Sequence, residues 1–139
     1  MDLVTFIGEQ CRSLVHSGKF EVRGHVEGEQ FLKSISYELS LSACRIIQEQ
    51  ISNIIKHAKA PQLTFFLIGS KNSLDIEIKD NGAGFLKNPD SKGLGLRNIY
   101  NRAEMFQGSV YINSAADEGC LLSLCFPIQP SPKSPSASI

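Results

Sequence analysis

The chain has 139 residues, 42% of them hydrophobic, which is about one domain's worth of sequence with enough apolar side chains for a single core. Fourteen basic and fourteen acidic side chains leave no net charge, so no overall field attracts the chain to nucleic acid or an anionic membrane. The longest apolar runs are far shorter than the roughly 18 residues of a membrane-spanning helix, and we recognise no secretory leader. We therefore expect a cytoplasmic domain that contacts neither nucleic acid nor the membrane directly.

The first two predicted elements are a helix and a strand. Apolar residues from Leu3 to Val15 recur near helical spacing, and Gly18 follows as a stop signal. Between Phe20 and Val26, apolar and polar side chains alternate. This alternation predicts a strand with one buried face.

The longest predicted helix runs from about Leu39 to Lys59. Its apolar residues recur at helical spacing, namely Leu41, Ile46, Ile47, Ile51, Ile54, Ile55 and Ala58. Lys56 and His57 fall in the last turn, where positive charge interacts favourably with the carbonyl end of the helix dipole. Pro61 follows and enforces the end of the helix.

Four further strands and one further helix are predicted after this helix. Residues 62–68 are nearly all apolar and are expected to form a central strand, while residues 74–79 alternate. A helix is expected at about 96–106, with Gly108 as its cap. Two closing strands are expected at about 109–113 and 120–127.

This order of elements predicts an α+β fold. Helices on one face of a mixed, mostly antiparallel sheet would bury the apolar stripes and give a two-layer α/β sandwich. We expect this domain to occupy residues 1–128. Residues 129–139 lack apolar periodicity and are expected to form a disordered tail.

The stretch from Asp80 to Phe85, D-N-G-A-G-F, has two interpretations. An Asn-Gly pair behind an alternating strand is a strong hairpin signal. However, a polar loop follows Phe85 instead of a return strand, and a second glycine-rich stretch, G-L-G-L, begins the next helix. Such turns let a ligand approach the backbone and leave amide groups for phosphate, which favours a nucleotide pocket. Neither a Rossmann nor a P-loop motif is present in the sequence.

Polar residues form a line along the long helix, because Arg45, Glu49, Asn53 and His57 are spaced by four. A carboxylate and a carboxamide one turn apart offer hard oxygen ligands to Mg²⁺. Taken alone, the spacing favours a solvated face with ordinary ion pairing. Together with the two glycine-rich turns, it favours a nucleotide site that holds a metal ion.

Three motifs resemble those of the ATP-binding catalytic domain of sensor histidine kinases. The run R-I-I-Q-E-Q-I-S-N-I-I-K-H-A resembles the N box, D-N-G-A-G-F the first Gly box and G-L-G-L-R-N-I-Y-N-R-A the second. The resemblance covers about residues 31–127 and is closest to the nitrate-sensor and desaturase-sensor subfamily, which pairs with LuxR-type response regulators. It implies a Bergerat α/β sandwich, the fold that gyrase and a heat-shock chaperone share.

The resemblance implies a role for each matching residue. Asn53 would coordinate the Mg²⁺ that bridges the ATP phosphates, and Glu49 would hold a metal-bound water or assist as a base. Lys56 and His57 would face the phosphates, and Asp80 would bind the adenine amino group. The other implied nucleotide contacts come from the glycine-rich stretches and the last strand: Gly82, Gly84, Gly93, Leu94, Gly95, Leu96 and Cys120. Residues 87–95 would form a short lid over ATP.

The sequence departs from the family pattern in two places. Gly119 and Cys120 stand where the family usually has Gly-Thr, and a thiol is a weaker hydrogen-bond partner, so adenine affinity is expected to be reduced. The family's phosphoacceptor histidine lies in a dimerising helical hairpin, beside an acidic residue, and His16, His25 and His57 lack that context. We therefore expect this chain to be the catalytic part of a larger kinase that supplies a histidine-bearing dimerisation domain.

Three functions remain open from the sequence. The leading hypothesis is a histidine kinase catalytic domain that binds Mg-ATP and donates its γ-phosphoryl group to the acceptor histidine, upstream of a response regulator. A stand-alone serine kinase of the anti-sigma type has a similar fold, but its N box usually differs from N-I-I-K-H-A. A non-catalytic interaction module on the same fold is suggested only by Cys120.

Overall fold

A computed structural model of the chain describes residues 2–58, 62–82, 96–115 and 119–128. The described elements are, in chain order, α1 (Leu3–His16), β1 (Glu21–Glu27), α2 (Glu29–Leu32), α3 (Tyr37–Asn53), a π-helical segment (Ile54–Ala58), β2 (Gln62–Gly69), β3 (Ser73–Asp80), α4 (Leu96–Glu104), β4 (Ser109–Ala115) and β5 (Gly119–Pro127). None of the helices in these ranges has the length and apolar character needed to cross a bilayer.

The strands form one five-stranded sheet in the order β1-β2-β3-β5-β4. Strands β1 and β2 are parallel, and the other neighbouring pairs are antiparallel. One face of the three interior strands is buried against α1, α3 and α4 in a single core, and its side chains are Leu63, Phe65, Leu67, Leu74, Ile76, Ile78, Leu122, Leu124 and Phe126. The predicted two-layer α+β sandwich with a mixed, mostly antiparallel sheet is confirmed.

Strand β2 is interior, as its apolar run predicted, but only one of its faces is fully buried. Leu63 and Leu67 are almost inaccessible, whereas Phe66 and Ile68 are half-buried on the other face. No described helix covers that second face, which we call the open face. Its neighbours on β3 and β5 include the polar residues Glu77 and Ser123. The apolar run of β2 therefore does not mean that both faces of the strand are buried.

Helix α3 begins earlier and ends differently from the prediction. The Ser36 hydroxyl accepts a 3.1 Å hydrogen bond from the Leu39 amide, so the capped helix starts at Tyr37. After Asn53 the chain forms the π-helical segment Ile54–Ala58, in which hydrogen bonds span five residues and each residue turns less about the axis. Apolar periodicity does not reveal this change, which redirects the residues that follow Asn53.

Two further features differ from the sequence analysis. Helix α2 was missed because four residues are too few to show a helical period. The predicted helix at 96–106 ends as an α-helix at Glu104, and Gln107, not Gly108, adopts the left-handed conformation, with φ of 60°. The Gly108 amide donates to the Ala103 carbonyl at 2.8 Å, and the Gln107 amide donates to Glu104, which is a Schellman termination. Gly108 is instead required by packing, because a β-carbon there would lie 2.7 Å from Phe126.

Neighbouring residues on β3 allow a direct test of the one-sided core. Ile76 is fully buried, and Glu77 lies on the open face. We expect Ile76→Ala to lower the free energy of unfolding by about 2–5 kcal/mol, since it removes buried methyl groups and leaves a cavity. The matched Glu77→Ala change should cost less than about 0.5 kcal/mol. Urea denaturation measures both, and equal losses would contradict a core confined to one face.

Candidate functional site

The candidate site lies where β3 ends and β5 begins. Asp80, the last residue of β3, pairs in register with Cys120 of β5. Gly119 has φ of 82°, and a β-carbon there would lie 2.1 Å from the Asp80 carbonyl oxygen. Only glycine combines that conformation with so close an approach. The backbone at Gly119 therefore places Cys120 directly beside Asp80.

Asn81 connects the end of β3 to β2 through hydrogen bonds with Gln62. Its amide donates to the Gln62 carbonyl at 3.2 Å, and its side-chain oxygen accepts from the Gln62 amide at 2.9 Å. Its side-chain nitrogen also donates to the Gln62 side-chain oxygen at 3.0 Å. Because β2 and β5 occupy both edges of β3, the hairpin interpretation of D-N-G is wrong. No local sequence pattern predicts these contacts between Asn81 and Gln62, which we call the Asn81 clamp.

Asp80 is a buried carboxylate with one satisfied oxygen. The residue is 3% exposed, and Oδ1 accepts a 2.9 Å hydrogen bond from the Gly82 amide. Oδ2 is buried and has no hydrogen-bond partner among the residues that the structure describes. Burial raises the pKa of Asp80 above 3.8, and hydrogen bonds from the Gly82 and Cys120 backbones oppose this. A buried acceptor without a donor is costly, so Oδ2 suits a ligand that brings an N–H group.

The polar line along α3 winds from solvent into the core. Arg45 is exposed, Glu49 is half-buried and Asn53 is 1% exposed. A spacing of four residues advances about 40° beyond one full helical turn, so each successive side chain turns further toward the sheet. The solvated-face interpretation therefore fails at Asn53. The same rotation along the helix places Glu49 at the boundary between solvent and core.

Glu49 lines a polar cleft of about 200 Å³ on the surface of α3 and α4. The other lining residues are Arg45, Gln48, Ser52 and Arg102. In the described ranges, no group of three His, Cys, Asp or Glu side chains is arranged to hold a metal ion. Mg²⁺ commonly binds through one or two protein oxygens, with water and phosphate completing its shell. The Asn53 carboxamide and the Glu49 carboxylate, one helical turn apart on α3, offer the type of oxygen that this mode uses.

Gln50 is a buried residue of the site that sequence reasoning missed. It is 0% exposed, and its Nε2 lies 3.8 Å from Cys120 Sγ. Asn53 Nδ2 donates to Gln50 Oε1 at 3.5 Å, so Gln50 connects Asn53 with Cys120. A sequence signal was present, because Gln50 lies four residues from both Ile46 and Ile54, on the apolar stripe of the helix.

The structure brings some of the predicted site residues together and separates others. Asn53, Asp80, Gly82 and Cys120 are brought together at the end of the sheet, while Glu49 lies on the cleft side of α3. Lys56 is exposed in the π-helical segment, His57 belongs to the same segment by its backbone, and Leu96 is buried where α4 begins. Four predicted residues lie outside the described residues, as does the predicted lid at 87–95: Gly84, Gly93, Leu94 and Gly95.

Comparison with curated proteins identifies a family. The family model described as "Histidine kinase-, DNA gyrase B-, and HSP90-like ATPase" matches residues 38–130. The oxygen sensor histidine kinase NreB of Staphylococcus carnosus is 33% identical over 93 residues, which are 66% of this chain and 27% of NreB. The histidine-protein kinase/phosphatase DegS of Bacillus subtilis is 26% identical over 117 residues, 81% of this chain and 30% of DegS. The chain thus spans less than a third of these relatives.

Solved structures show the same fold. The histidine kinase domain of the blue-light activated histidine kinase of Erythrobacter litoralis superposes with a TM-score of 0.72 at 16% identity, covering 92% of this chain and 62% of that domain. The fold is thus the Bergerat fold of histidine kinase ATPase domains, as the sequence motifs implied. With two-thirds of its residues matched by the family model, the chain belongs to the histidine kinase-, DNA gyrase B- and HSP90-like ATPases.

Proposed function

We propose that residues 1–128 are the ATP-binding catalytic domain of a sensor histidine kinase, which binds Mg-ATP and donates the γ-phosphoryl group to a histidine in a separate dimerisation domain. The observation that carries this proposal is the buried Asp80 carboxylate, whose Oδ2 has no donor among the described residues. Membership of an ATPase family and similarity to sensor histidine kinases support it.

The adenine base would bind at the junction of β3 and β5. Asp80 Oδ2 would accept a hydrogen bond from the exocyclic amine, and Gly82 and Gly84 would let the ring approach the backbone. Cys120 lies beside Asp80, where its sulfur offers a weaker hydrogen bond than a hydroxyl. The buried position of Asp80 excludes water, which strengthens its interaction with the base.

The phosphates would lie between the end of α3 and the start of α4. Asn53 and Glu49 would provide oxygen ligands for Mg²⁺ or for its bound water, and Lys56 and His57 would contribute positive charge. Gly93, Leu94, Gly95 and Leu96 would offer amide groups at the N-terminus of α4, where the helix dipole favours anions. Bound Mg²⁺ supplies charge neutralisation for phosphoryl transfer.

The acceptor histidine would come from another domain. His25 Nε2 lies 2.6 Å from Glu27, and its ring contacts Phe66 edge-on, on the open face of the sheet. That face is opposite to the one against which α3 and Asn53 pack. His16 ends α1, where it is exposed and suits the helix dipole. We therefore expect neither His16 nor His25 to receive the phosphoryl group.

The proposed partners follow because ATP binding and the acceptor histidine would belong to different domains. The acceptor histidine would lie in the dimerisation domain of the same kinase, and a response regulator, of the LuxR type by sequence resemblance, would receive the phosphoryl group. Glu49, half-buried beside the polar cleft, would assist the acceptor as a base. The domain would work in the cytoplasm, where ATP is available. The relatives' names favour this function over an anti-sigma serine kinase.

Calorimetric titration with a non-hydrolysable ATP analogue tests the site. We expect wild-type binding to be tighter with Mg²⁺ than without it. The Asn53→Ala variant should lose the Mg²⁺ dependence, because it removes a metal ligand. The Asp80→Asn variant should bind at least about tenfold more weakly with or without Mg²⁺, because it removes a charged acceptor.

Two matched variants serve as controls for this titration. Asn113→Ala and Asp75→Asn change the same residue types on the open face of the sheet and should leave binding unchanged. Circular dichroism would verify that every variant is folded. Absence of binding at millimolar nucleotide by the folded wild-type protein would contradict the proposed function.

The raised pKa of Asp80 predicts how stability depends on pH. At pH 7 the Asp80→Asn variant should be more stable than the wild type by about 1 kcal/mol, because a carboxamide costs less to bury than a carboxylate. As pH falls through the raised native pKa toward 3.8, folded wild-type protein takes up a proton before unfolded protein does. Wild-type stability then rises relative to the variant, and the difference shrinks. Chemical denaturation across this pH range measures it, and a variant that is less stable at pH 7 would refute the interpretation.

A further inference from the structure

We propose that Gln50 is a positioning residue of the nucleotide site, which orients the Asn53 carboxamide so that its oxygen, and not its nitrogen, is presented to Mg²⁺. This inference rests on the proposed function, because it assumes that Asn53 is a metal ligand. It assigns to a core residue of α3 a task that the recognised motif residues do not perform.

The geometry is a chain of contacts that runs from the adenine end of the site to its metal end. Asp80 pairs in register with Cys120, and Cys120 Sγ lies 3.8 Å from Gln50 Nε2. Gln50 Oε1 then accepts from Asn53 Nδ2 at 3.5 Å. A carboxamide has its donor and acceptor on opposite branches. Donation from Asn53 Nδ2 to Gln50 therefore directs Asn53 Oδ1 away from Gln50.

Burial makes Gln50 a poor choice for stability alone. The side chain is 0% exposed and lies on the same helical stripe as Ile46, Ile47 and Ile54, all of which are buried. Its two hydrogen bonds are long, and one ends on sulfur, a weak acceptor. An apolar side chain of similar volume would avoid the desolvation of a carboxamide. We therefore attribute this buried carboxamide to its contact with the Asn53 side chain, which it orients.

Gln50 can influence Mg²⁺ binding without contacting the metal ion. Partners that hydrogen-bond to a metal ligand fix its orientation, and their loss commonly weakens metal affinity about 10- to 100-fold. Gln50 is such a partner, because its Oε1 accepts a hydrogen bond from Asn53. Without Gln50 Oε1, Asn53 Nδ2 would lose this acceptor, and the orientation that presents the oxygen to the metal would be held less firmly.

The test is the Mg²⁺ enhancement of binding, which is the ratio of the affinities for a non-hydrolysable ATP analogue with and without Mg²⁺. In Gln50→Leu we expect this enhancement to fall about tenfold or more, while the metal-free affinity stays within about twofold of wild type. The melting temperature should be equal or higher. In the Asn53→Ala background, Gln50→Leu should cause no further loss of enhancement.

Gln30→Leu is the matched control. Gln30 is exposed on α2, which adjoins Gly69 at the end of β2 opposite to Asp80, and the variant should behave as wild type. Gln50→Met is a second variant that keeps the unbranched shape without the amide, and it should match Gln50→Leu.

Each outcome decides one question. Retained Mg²⁺ enhancement in both folded Gln50 variants, with normal enhancement in the wild type, would overturn the positioning role and leave the proposed function intact. Failure of both variants to fold would also overturn it, since it would show that the carboxamide is needed for the structure. Absence of nucleotide binding by the wild type would instead overturn the proposed function.

Discussion

The site depends on the close approach of two strands at Gly119. A side chain at this position would collide with the Asp80 carbonyl, so the left-handed glycine is what lets β5 begin beside the end of β3. This approach places Cys120 against Asp80. The result is a buried carboxylate with one oxygen satisfied by the Gly82 amide and the other without a donor among the described residues. Burial of the Asp80 carboxylate costs free energy, and a ligand that donates a hydrogen bond to Oδ2 can offset part of that cost.

Helix α3 supplies the second half of the site through its geometry. Because its polar residues are spaced by four, the line that begins exposed at Arg45 ends buried at Asn53. The change to π-helix directly after Asn53 then redirects the segment that carries Lys56. π-helical turns of this kind occur often at functional sites. Gln50 joins the two halves, since its carboxamide touches both Asn53 and Cys120.

The sequence was sufficient where periodicity and motif chemistry agree. The alternating run before Asp80 and the apolar stripe around Ile47 predicted β3, α3 and the sandwich, because both patterns report which face is buried. Features set by tertiary contact were not predictable in this way. The Asn81 clamp and the contact of Gln50 with Cys120 join atoms from distant parts of the chain. The π-helical segment is local, but the change of hydrogen bonding in it leaves the apolar pattern of the sequence unaltered. The D-N-G stretch shows the same limit, because its local hairpin signal is overridden when β2 and β5 pair with both edges of β3.

The proposed function depends most on recognition of the exocyclic amine of adenine by Asp80. The most direct measurement compares wild-type affinity for ATP and for inosine triphosphate, in which a carbonyl oxygen replaces that amine. We expect roughly 10- to 100-fold weaker binding of inosine triphosphate, because the acceptor Oδ2 would then face another acceptor. Equal affinity for the two nucleotides would contradict it and would mean that the base binds without Asp80.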